Sequence, residues 1–175
     1  MADEPVVESF AAWLLATQLA AVAGMGAGTS QPTPPAAASV EMQADYRVVK
    51  QALDLLNLYQ VIPNPYNLDI RLVQRATATP TTKRPAALQA AAFTVGNVQR
   101  IYIVTGSDTF QRAARGDKQE LINLAGYIAH EYHHLKHGKD EASAYDFQIK
   151  ALEKMGASTT LIRAVKRAKT AVVGR

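Results

Sequence analysis

Apolar residues recur along this chain in two distinct rhythms, and each rhythm predicts its own kind of element. From Glu41 to about Gln60, the residues Met42, Tyr46, Val49, Leu53 and Leu56 return at spacings of three and four. That period lays them along one buried stripe of a helix. The stretch IPNPYN, 62–67, stops the helix, because proline removes an amide donor and clashes with the preceding turn. In NLDIRLVQRA, 67–76, the residues Leu68, Ile70 and Leu72 are set against Asp69, Arg71 and Gln74, the alternation of a strand with one buried face. A Pro/Thr-rich loop, 77–87, follows. The segment LQAAAFTVGNVQRIYIVTGS, 88–107, then carries two β-rich runs around Gly96-Asn97, a dipeptide suited to a two-residue hairpin turn.

Beyond the hairpin the helical rhythm takes over. Asp117 with Glu120 three residues on is a capping-box-like start, and predicts a helix that runs to about His137 and ends at Gly138. A second helix is expected from near Asp140 to Gly156, and a third from Ser158 to about Thr170. Helix, strand, hairpin and three helices in that order predict an α+β fold, with a small, mainly antiparallel sheet of about three strands and helices packed on one face.

The N-terminal part follows neither rhythm. FAAWLLATQLAAVAGMGAG, 10–28, is apolar, and GMGAGTSQPTPPAAAS, 24–39, is rich in Gly, Pro, Ala, Ser and Thr, the composition of a flexible linker. The chain therefore divides into an apolar segment with its linker at 1–39 and a compact domain at 40–175. Asp3, Glu4 and Glu8 precede the apolar run where a secretory signal carries positive charge, which favours the cytoplasm and leaves export through this segment as the alternative. Thr17 and Gln18 interrupt the run, so it is too weakly apolar to read as a membrane span.

Composition narrows the chemistry. A chain of 175 residues that is 48% apolar can bury one core, and the absence of cysteine excludes disulfide scaffolds and every thiolate site. The net charge of +4 is concentrated late, in Arg163, Lys166, Arg167, Lys169 and Arg175. With no aromatic residue interleaved for base stacking, these cations read as a solvated helix face, and no nucleic-acid partner is expected.

All four histidines lie in GYIAHEYHHLKHG, 126–138. His130, Glu131 and His134 form H-E-x-x-H. Residues four apart on a helix differ by about 40° around its axis, so both imidazoles face the same way and can share one metal ion, with a geometry that suits zinc. Glu131, rotated about 60° from His134, can flank the ion and hold a water. Leu121, Leu124, Ile128 and Leu135 form the helix's apolar stripe roughly 130° away, which places the two histidines off the core. His133 and His137 repeat the spacing without an enclosed glutamate and are read as flanking residues. A catalytic zinc needs a third protein ligand. Glu141, in the first turn of the next helix, is one possibility and Asp140 the other.

H-E-x-x-H followed after a short turn by EASAYDF, 141–147, resembles the gluzincin metallopeptidases, and most of all their compact members, the minigluzincins and the ImmA/IrrE-type peptidases. The resemblance implies a zincin-like active-site helix, Zn2+ held by His130, His134 and Glu141, and Glu131 as catalytic base. It implies a zinc metallopeptidase acting on a protein or peptide substrate; a non-catalytic zinc-binding or regulatory module of the same fold is the alternative. Two departures stand out: the turn between the helices is shorter than in most gluzincins, and Tyr145 occupies a position where related proteins often have Asp or Asn. Arg100–Val104 is the strand expected to offer its edge to an extended substrate.

Overall fold

A computed structural model of the protein describes residues 36–74, 91–95 and 98–174. The apolar segment and most of its linker, the Pro/Thr loop and the Gly96-Asn97 dipeptide lie outside the described residues. Residues from Ala36 onward form one compact unit.

Helix α1, Ala36–Leu58, starts before the first residue of the expected stripe. Val49, Leu53 and Leu56 are buried as their spacing predicts, together with Val48 and Ala52. Met42 and Tyr46 are exposed, at 58% and 46%. Periodicity marks a face but not how far the rest of the fold extends along it. The chain leaves α1 through Gln60 and Asn64, both at positive φ, and a 3-10 turn at Pro65–Asn67.

Three strands follow: β1, Ile70–Val73; β2, Ala92–Thr94; and β3, Ile101–Val104. Their order is β1-β3-β2. β1 runs parallel to β3, with Ile70 opposite Ile101, and β2 runs antiparallel to it, with Thr94 opposite Ile101. The sheet is therefore mixed rather than mainly antiparallel. Side-chain alternation has the same period whichever way the neighbouring strand runs, so it carries no information on direction. β3, with Ile101 and Ile103 fully buried, is the central strand. That corrects the expectation that Arg100–Val104 is an edge: among the described residues, β2 and β1 are the edges. The β2–β3 connection is closed by Val98 N–H donating to Val95 O at 3.1 Å.

A short helix that no periodicity announced, α2, Asp108–Ala114, comes next; Ser107 Oγ caps it by accepting from Phe110 N–H at 3.2 Å. It brings the buried Phe110 into the core. α3, Lys118–His137, begins where expected, with Asp117 Oδ1 accepting from the amides of Gln119 and Glu120. Glu120 does not reach back to complete a capping box. Its carboxylate instead meets Arg112 of α2 at 2.9 Å and Asn123 at 3.0 Å. α4, Glu141–Lys154, and α5, Thr159–Val173, complete the α+β fold, capped by Asp140 and Ser158. α5 lies on α4, where Lys169 and Lys166 pair with Asp146 and Glu153. No described helix is long and apolar enough to cross a membrane.

α3 is the hub, touching α1, α2, α4, β2 and β3. Gly126 lets α4 approach it closely: a Cβ there would stand 2.7 Å from Leu152 Cδ2. The neighbours bury more of α3 than its apolar stripe, enclosing Asn123, Ala125, Ala129, His130 and Glu131 besides Leu124 and Ile128. His130 and Glu131 are only 7% and 8% exposed. The reading of the histidines as off the core therefore needs correcting for His130: it points away from the stripe, yet other elements cover that flank.

Candidate metal centre

The site is assembled at the junction of α3 and α4. One turn apart on α3, His130 and His134 bring their Nε2 atoms to 3.0 Å, with the rings edge to face and their centroids 4.7 Å apart. α3 stops at Gly138, whose φ of 87° lies in the region that favours glycine and turns the chain sharply. Asp140 then caps α4, its Oδ1 accepting from Ala142 N–H at 3.1 Å. A side chain occupied in this way bends toward its own helix, and it is Glu141, first residue of α4, that faces back across the turn. Its Oε2 is 3.4 Å from His130 Nε2 and its Oε1 is 3.5 Å from His134 Nε2.

The two separations from Glu141 are those of ligands around one ion, while the 3.0 Å between the imidazole nitrogens is somewhat shorter. A metal bound tetrahedrally at about 2.0–2.1 Å from each donor holds its ligand atoms about 3.3–3.4 Å apart. Among the described residues, these three side chains are the group of three or more that could hold a metal ion. His134 is oriented for it: Nδ1 lies 2.9 Å from Gly138 O, which requires the proton on Nδ1 and leaves the Nε2 lone pair facing the cluster. His130 is steadied by the ring of Tyr145, edge-on at 4.7 Å, while its Nδ1 is buried without a partner among the described residues. The tyrosine thus packs against His130 at the position where an Asp or Asn would offer an acceptor.

Electrostatics show that the carboxylate calls for positive charge. Its bonds to His130 and then His134 hold Glu141 down at about 2, and the bond to Glu141, aided by Gly138 O, pushes His134 up to about 9.

Glu131 lies beside this group. Burial pushes its carboxyl above the usual carboxylate range, against the opposing pull of His130 and of a hydrogen bond from Thr94. Thr94 Oγ1 donates to Glu131 Oε2 at 2.9 Å. Sequence reasoning missed Thr94, which reaches the glutamate from the edge strand β2; a lone threonine in a short apolar strand carries no signal of such a contact. His133 and His137 stay outside the cluster, and Asp140 does so as well. The chain matches no family model, no curated protein and no solved structure.

Proposed function

We propose that this protein is a zinc metallopeptidase of compact gluzincin type, in which His130, His134 and Glu141 hold Zn2+ and Glu131 is the catalytic base. The observation that carries the reading is the convergence of two imidazole nitrogens and a carboxylate, all within 4.8 Å of one another, next to a buried glutamate that is not itself part of the group. Two nitrogens, one oxygen and a position left open form the donor set of catalytic zinc. When bound, zinc supplies the positive charge that polarises a peptide carbonyl and makes a water nucleophilic near neutral pH.

The chain's own residues would do the rest. Thr94 engages Oε2 of Glu131, so Oε1 is the oxygen free to take the water's proton and pass it to the departing amine. The buried setting that raises the affinity of Glu131 for a proton suits this shuttle. An extended peptide would lie along β2, which among the described residues is paired on one side only, close to Glu131.

The test compares wild type with Glu131→Gln for zinc content and for cleavage of unfolded proteins and mixed peptides. Zinc retained, with cleavage reduced about 10²–10⁴-fold, is the expected result. Zinc bound by the wild type with no cleavage of any peptide would make the protein a zinc-binding module instead.

A further inference from the structure

His133 and His137 take no part in the centre described above, yet they repeat its i, i+4 spacing on the same helix, with their rings tilted at 43° rather than edge to face. Their ring centroids are 4.7 Å apart, the same separation as in the first pair. They follow the first pair by three positions, and so form a stripe rotated about 60° around α3. His137 is exposed, whereas His133 is half-buried with its ring braced by Phe147 of α4, centroids 5.6 Å apart. Nδ1 of His133 is enclosed without a partner among the described residues, which leaves Nε2 as the nitrogen to meet a ligand.

We propose that His133 and His137 form a second metal-binding pair, which takes a borderline divalent ion such as Cu2+, Ni2+ or Zn2+ and leaves the rest of its coordination shell to water. Imidazole nitrogen suits these ions, and Cu2+ heads the affinity order for a site that imposes little geometry. The i, i+4 spacing presents both rings on one helix face. The Phe147 contact limits the rotamers that His133 loses on binding. The nearby carboxylate of Asp140 interacts electrostatically with His133 and offsets part of the ion's charge. Of the cations alongside, Lys136 is turned aside, its Nζ lying over the Tyr132 ring at 5.9 Å. With two protein ligands and no enclosed carboxylic base, this pair binds more weakly and exchanges faster than the first centre. It does not depend on the peptidase reading.

The test is calorimetric titration of the full chain with Cu2+ and Zn2+, in wild type, His137→Ala, the double variant H133A/H137A and the double variant H130A/H134A. The double variant H133A/H137A is expected to lose one equivalent that H130A/H134A keeps, and untagged wild type is expected to be held on a Ni2+ resin from which H137A elutes early. His137 is exposed, so H137A should keep the wild-type circular dichroism and remains informative even if the double variants unfold. Titrations and resin retention left unchanged by H137A and H133A/H137A would overturn the proposal. Failure of the first centre would show in the H130A/H134A titration alone.

Discussion

His130 and His134 stand no closer together than His133 and His137, and both pairs ride on the same helix. What separates them is their surroundings. The first pair has Glu141 closing a triangle, Glu131 beside it and Gly138 O on the outer nitrogen of His134. The second has the Phe147 ring against a half-buried His133, the Asp140 carboxylate nearby and an exposed His137. Helical spacing supplies two donors at almost no cost in ordering, but the elements that pack on the helix decide whether those donors become a chemical centre.

Removing the proposed third ligand should break the contrast most strongly. Glu141→Ala is expected to weaken zinc binding at the first pair by at least about a hundredfold, more than the loss of a supporting hydrogen bond typically does, and to leave the second pair as the tighter site. Equilibrium dialysis against a competing chelator measures this. Thr94→Val strips a buried carboxylate of a side-chain donor, an interaction of about 1.5–3 kcal/mol. Peptide cleavage should fall roughly tenfold to a hundredfold by that same principle, zinc content should not change, and Thr94→Ser should restore activity.

Gly126→Ala acts further from the ions. Its methyl would meet Leu152 Cδ2 at 2.7 Å, and parting the helices should cost about 1–3 kcal/mol in a urea melt. Glu141 rides on α4, so the first pair should lose zinc affinity alongside, whereas the second, held within α3, should not. The smallest effect is expected from Asp140→Ala, which removes a cap worth about 1 kcal/mol. Zinc binding at the first pair should persist in this variant; its loss would transfer the third-ligand role from Glu141 to Asp140.

The contrast also explains what could be read in the sequence. The limits of α3 and α4 were legible because caps and helix stops act within a few residues, as at Asp117, Gly138 and Asp140. The pairing of His130 with His134 was legible for the same reason. α2 escaped because Asp108–Ala114 is too short to show a period, although Ser107 marks its start. Burial of His130 escaped because periodicity gives a direction around the axis and is silent on what arrives from that side. The direction of β1 and the reach of Thr94 depend on contacts between segments far apart in the chain, and no local pattern encodes them.

The short turn at Gly138 has a consequence for assembly. Every donor of the first centre falls within one unbroken stretch from His130 to Glu141, so the ion's cage can close as soon as two adjacent helices meet, ahead of any pairing between strands. The threonine that engages Glu131 arrives only when the sheet docks. Capture of the ion and competence for chemistry would thus be separate events in the life of a newly made chain.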